Sequence, residues 1–242
     1  MKIETTTPIG QIVIEMPEAA SIFEGYKINY YKDRGQTLQE ACAAAGVIFE
    51  QVESQLKKHE TPMDNGQRQA PDWDRETMAA IVHHIIRAHH VKTRTLLKKI
   101  DEEITQLSMQ ESGHSKMEVI RKLFEDFDAK LEAHMLEEER EVFPFLIYAE
   151  RALKKGADAT VVIPSNDNFT DSIREILFDH RFMDRGFNEM QKLVFLFNES
   201  NGKKRLDILS EALKELSDDN QKHVHLENDI LLKKAAQIGL ME

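Results

Sequence analysis

Apolar positions in this chain recur in steps of three and four residues over four long stretches, the spacing of one buried stripe on an amphipathic helix. The first stripe runs Met78, Val82, Ile85, His89, Thr93, Leu96 and Ile100, and the second Ile120, Phe124, Phe127, Leu131, His134, Glu138, Val142 and Phe145. The third runs Ile173, Ile176, His180, Met183, Phe187, Met190, Val194 and Phe197, and the fourth Leu206, Leu209, Leu213, Leu216, Asn220, His223, Glu227 and Ile230. The stretches break near 108–113, 156–168 and 201–202, where serine, glycine and asparagine collect, and no alternating β-branched run competes. Four such helices with fairly short connections predict an all-α fold, an antiparallel four-helix bundle over residues 75–242.

Ahead of the bundle, residues 1–60 predict a small helical N-terminal domain. A helix opened by Pro17 continues through Phe23 to a stop at Gly25, Gly35 sits in a turn, and further helices lie around Leu38–Ala45 and Phe49–Lys58. Residues 61–74 are polar, carry two prolines and a glycine, and predict a linker.

Composition narrows the chemistry. The chain has 242 residues, a net charge of -11 and a pI near 5.4, so binding to a nucleic acid or an anionic membrane surface would be electrostatically opposed. The local basic run Lys203-Lys204-Arg205 does not reverse this. The single cysteine, Cys42, forms no internal disulfide and offers no thiol cluster, so a metal would take nitrogen and oxygen ligands. Residues 1–30 lack a basic region followed by an apolar run of secretory length, and no uninterrupted apolar stretch is long enough to span a bilayer. The expected compartment is the cytoplasm.

Ten histidines invite a metal hypothesis, but only those on an apolar stripe are ligand candidates. Periodicity selects His89, His134, His180 and His223. It leaves His59, His83, His84, His90, His114 and His225 as solvent-facing or supporting residues, and turns only Glu138 inward from the acidic run Glu137–Glu141. In the second and fourth helices a glutamate follows the histidine by four residues, one helical turn, so His134 with Glu138 and His223 with Glu227 can each aim a nitrogen and an oxygen at one place. Six ionisable groups in one core would cost several kcal/mol each without partners. Two iron ions held by His89, His134, Glu138, His180, His223 and Glu227 remove that cost, with manganese and zinc as rival metals for the same donor set.

The segments His134-Met-Leu-Glu-Glu138-Glu-Arg-Glu-Val-Phe-Pro144 and His223-Val-His-Leu-Glu227-Asn resemble the His-x-x-x-Glu elements of the repair-of-iron-centres (RIC) family, within the hemerythrin-like di-iron proteins. His89 and His180 fall where that family has its other histidine ligands. Pro8-Ile-Gly10 and Gly35-Gln-Thr-Leu38 resemble its small N-terminal domain. The resemblance implies a non-haem di-iron centre with an oxo or hydroxo bridge and Glu138 and Glu227 as bridging carboxylates. It also implies repair or protection of iron–sulfur clusters under nitrosative or oxidative stress, by iron donation or by nitric oxide or peroxide chemistry. Damaged iron–sulfur proteins would be partners, and nitric oxide reductase or peroxidase-like turnover is an open question, as is a homodimer. The alternative is a reversible oxygen or nitric oxide binder or sensor. One departure stands out: where the family carries two adjacent cysteines, this chain has Tyr30 and Tyr31.

Overall fold

In a computed structural model, described for residues 4–16, 19–30, 33, 35–58, 72–110, 115–157, 168–201 and 204–240, the chain is all-α. The described residues contain no strand beyond an isolated bridge between Pro8 and Thr37. Pro17, Tyr31, His59, residues 61–71, His114, Gly202, Lys203, most of the 156–168 break and the side chain of Phe197 lie outside the described residues.

The helices are α1 Ile9–Glu15, α2 Ala19–Gly25, α3 Leu38–Ala45, α4 Phe49–Lys58, α5 Met78–His84, α6 Val91–Gln110, α7 Ser115–Glu137, α8 Phe143–Lys154, α9 Asn168–Asn201, α10 Lys204–His225 and α11 Leu232–Gln237. Among the described residues three π-helical turns interrupt the long runs: Ile85–His90 between α5 and α6, Glu138–Val142 between α7 and α8, and Leu226–Leu231 between α10 and α11. Helix α1 is an addition to the sequence expectation, too short to show a stripe. Pro144 helps explain the second π-turn, because proline has no N–H to give and its ring crowds the carbonyl four residues back, which favours a widened turn just before it.

Contacts group the residues into two compact units, Ile85–Leu136 with Asp171–Asp229, and Met1–His84 with Glu137–Thr170 and Ile230–Glu242. The first is itself a four-helix assembly. Its core draws Leu96, Ile100 and Ile104 from α6, Ile120, Phe124, Phe127 and Leu131 from α7, Met183, Phe187 and Met190 from α9, and Leu206, Leu209, Leu213 and Leu216 from α10. Each of these apolar side chains stabilises the fold by about 1.5–3 kcal/mol when fully removed from water. Phe127 and Phe187 meet edge to face with centroids 4.7 Å apart. Gly186 makes room for that pair, since a Cβ there would stand 2.7 Å from the Phe127 ring.

In the second unit the two N-terminal segments singled out in the sequence lie side by side. The Ile9 N–H donates to the Gln36 carbonyl at 2.9 Å and the Leu38 N–H to the Thr7 carbonyl at 2.9 Å. Thr37 caps α3 by accepting from the Glu40 N–H, while the Glu40 carboxylate accepts from the Thr37 N–H. Helix α2 is tied to α8 through Glu24, which accepts from Arg151 Nε at 2.9 Å and also pairs with Lys155. The Glu150 carboxylate accepts the Met78 N–H at 3.1 Å, satisfying a backbone donor at the start of α5.

Candidate metal centre

The stripes deliver nearly every side chain they predict to the interior. Among the described side chains, each stripe residue is buried except Ile230, which is half-exposed while Leu231 is buried in its place. The π-turn Leu226–Leu231 accounts for the slip: a turn closing at five residues instead of four moves the inward position one residue along.

The same slip has a larger consequence in the first bundle helix. Stepping four residues from Ile85 leads to His89, but the turn Ile85–His90 is π-helical, and a step of five leads to His90. His90 is 0% exposed, so the expectation that it faces solvent is corrected. Its Nε2 lies 3.1 Å from His223 Nε2. His89, expected as a ligand, is also buried, but its Nδ1 lies 3.1 Å from Asp219 Oδ2, and its ring stacks parallel to the His223 ring at 5.9 Å.

Within the four-helix unit, two sets of nitrogen and oxygen atoms converge. Ligand atoms of His90, His223 and Glu227 lie within 4.8 Å of one another, and so do those of His134, His180 and Glu227. His89 belongs to neither set. Glu227 belongs to both, and its carboxylate is divided between them: Oε1 is 2.6 Å from His223 Nε2 and Oε2 is 3.0 Å from His180 Nε2. The His134 and His180 rings meet at 4.9 Å between centroids. Glu138 is buried one helical turn after His134, at the start of its π-turn.

These separations fit a metal better than a proton. Ligand atoms about 2.1 Å from one ion, at adjacent corners of its coordination shell, stand about 3 Å from each other. At His223 Nε2 a single ring proton would have to serve both Glu227 Oε1 and His90 Nε2, whereas one ion bound among the three atoms would be served by all of them. The donors are imidazole and carboxylate with no thiolate, a set suited to first-row divalent ions, iron among them.

Around the site the charges are arranged to keep Asp219 ionised. Its burial works to raise its pKa, but the hydrogen bond from His89 and the nearby Lys92 outweigh that and hold it below the ordinary aspartate value. Lys92 Nζ sits 3.3 Å from Asp219 Oδ1 and 3.1 Å from Glu215.

Residues 81–235 match the family described as the hemerythrin HHE cation binding domain. The chain belongs to that family. Over 233 residues this hemerythrin-family chain is 25% identical to the iron-sulfur cluster repair protein YtfE of Salmonella typhimurium, covering 94% of this chain and 96% of the relative. The same figures hold for the proteins of that name from Salmonella paratyphi B and Salmonella newport.

Three further described histidines of this hemerythrin domain, His83, His84 and His225, belong to neither set. His83 and His84 are half-buried, with the His84 ring 4.6 Å from that of Trp73, and His225 is exposed and paired with Asp229 at 2.7 Å. Among the described residues no helix is long and apolar enough to cross a membrane. His90 was the residue that stripe counting missed. Periodicity pointed to His89, and both histidines are buried, but only His90 joins the convergent atoms.

Proposed function

We propose that the chain is a di-iron protein of iron–sulfur cluster repair, acting under nitrosative or oxidative stress. Two irons would be held by His90, His134, Glu138, His180, His223 and Glu227, with Glu227 bridging and Glu138 completing each set as a second shared carboxylate. His90 takes the place that periodicity gave to His89. The observation that carries the reading is the division of one buried carboxylate between two histidine sets, because a bridging carboxylate is what a pair of ions at that spacing requires.

Glu138 is assigned on its burial and on its position four residues after His134, the spacing that repeats in His223 and Glu227. The repair role is supported by relatives along nearly the whole chain that carry that name. When bound, the irons supply open coordination positions for a small molecule and a store of releasable metal. The protein's own part is to hold four neutral imidazoles and two carboxylates in an apolar bundle that keeps bulk water from the site. An oxo or hydroxo bridge between the irons belongs to the same reading.

Two tyrosines stand where the resembling family has its cysteine pair. Tyr30 is buried, and its phenol, 3.4 Å from Glu24 Oε1, is pushed well above the usual tyrosine range by burial and then by the Glu24 charge. Cys42 is buried as well, and burial pushes its thiol up. Neither position supplies a ready thiolate, so iron donation would have to proceed from the bundle site.

The test is reactivation of a hydro-lyase whose iron–sulfur cluster has been damaged by peroxide or nitric oxide. Iron-loaded protein is expected to restore activity faster than the same amount of free ferrous iron. Restoration no faster than free iron would overturn the repair reading.

A further inference from the structure

A metal-binding imidazole must offer a lone pair on one nitrogen, and whatever holds the other nitrogen decides which one that is. For His180 the structure gives both sides of the ring. Its Nδ1 lies 3.2 Å from the side-chain oxygen of Asn228, and its Nε2 lies 3.0 Å from Glu227 Oε2. Both partners accept, the Asn228 amide oxygen always and the Glu227 carboxylate when ionised, so an ion at the convergence of His134, His180 and Glu227 would take the Nε2 lone pair and the ring proton would then be held on Nδ1 by Asn228.

The backbone explains how one short segment grips the ring from both sides. Glu227 and Asn228 are consecutive, and on a regular α-helix consecutive side chains diverge by about 100°. Here both fall in the π-turn Leu226–Leu231, whose wider winding brings neighbouring side chains closer in direction. His180 itself lies on α9, which has no π-turn and contributes no carboxylate to either set, so its orientation has to come from another helix. The comparable contact behind His134 is weaker: its Nδ1 is 3.8 Å from Asp179, whose carboxylate is engaged by Lys130 at 3.0 Å.

We propose that Asn228 is a positioning residue: by accepting the Nδ1 proton of His180 it fixes the tautomer in which Nε2 can bind iron. The inference rests on the reading of His180 as a metal ligand. It concerns an amide that lies outside both convergent sets and that periodicity does not single out.

Three variants of the full chain test it, Asn228→Leu, Asn228→Asp and Asn228→Ser, beside the natural protein. The leucine removes the acceptor at similar volume, the aspartate keeps an acceptor, and the serine is a smaller, polar replacement that serves should the leucine variant fail to fold. Iron-loaded protein is challenged with an excess of chelator, and Asn228→Leu or Asn228→Ser is expected to lose metal about 10–100-fold faster than the natural chain. Asn228→Asp is expected to stay close to the natural rate.

The second readout needs no metal. Nitrogen-15 spectra of the histidine rings in metal-free protein are expected to show more of the His180 proton on Nδ1 in the natural chain and in Asn228→Asp than in the leucine or serine variant, where the Glu227 carboxylate alone draws it to Nε2. A merely structural amide would not move that signal. Unchanged release together with an unchanged tautomer overturns the proposal, and so does an aspartate variant that loses iron as fast as the leucine one. A natural chain that takes up no iron would instead sink the metal reading, while the metal-free spectra would still report on Asn228.

Discussion

At the scale of the residue, two adjacent histidines have been given different work. His90 points its Nε2 at His223 among the convergent ligand atoms, while His89 leans on an ionised Asp219 that is also held by Lys92. Substitution should therefore separate them. His90→Ala is expected to lose at least half of its bound iron after gel filtration, and His89→Ala to retain most of it and suffer mainly in stability. Metal analysis of the two variants side by side checks this, and equal losses would contradict the assignment. Most of the proposed ligands could be picked out from the sequence, because His134, His180, His223, Glu138 and Glu227 each replace an apolar residue at a core position, and all five are buried. His90 could not, because a three-and-four count assumes a regular α-helix and has no means of registering the extra residue in a π-turn. Asp219 and Asn228 were equally hidden, since a polar residue flanking a stripe looks like surface until its partner on another helix is known.

At the scale of the element, the long helices were legible for the opposite reason: their apolar repeats are many turns long, so one slipped residue leaves the pattern intact. Ile230 shows the limit, giving way to Leu231 just past the third π-turn. Each of the three π-turns carries or adjoins a proposed ligand: His90 ends the first, Glu138 begins the second and Glu227 lies within the third. That distribution is the expected one where widened turns serve a site. The short N-terminal helices depend on specific ties more than on periodicity, and the tie from α2 to α8 is electrostatic. Burial alone would raise the Glu24 pKa, but hydrogen bonds from Arg151 and Lys155 outweigh it and hold the carboxyl below its ordinary value of 4.5. A depressed carboxyl contributes stability that is fully present above the unfolded value and is lost as pH falls through the folded one. Glu24→Gln is therefore expected to be less stable than the natural chain by on the order of 1 kcal/mol at neutral pH. That gap should narrow as pH drops below about 4.5, the ordinary glutamate value. Thermal unfolding across the acid range reads it directly, and a gap that stays constant would contradict the linkage.

At the scale of the whole molecule, apolar burial and metal binding make separable contributions. The core from Leu96 to Leu216 is continuous across four helices without any ligand residue, which gives the bundle a reason to persist when metal is removed. The proposed ligands add buried polar groups whose cost would be offset when a cation joins them. What joins these contributions is the placement of Glu227 between two histidine sets, and the most direct measurement is the ratio of iron to protein. Ferrous iron is loaded without oxygen and excess metal is removed, for the natural chain and for Glu227→Ala. The natural chain is predicted to retain about two irons and the variant fewer than about one, as expected when one carboxylate serves both ions. A natural chain that retains a single iron or none, or a variant that still holds two, would contradict the account.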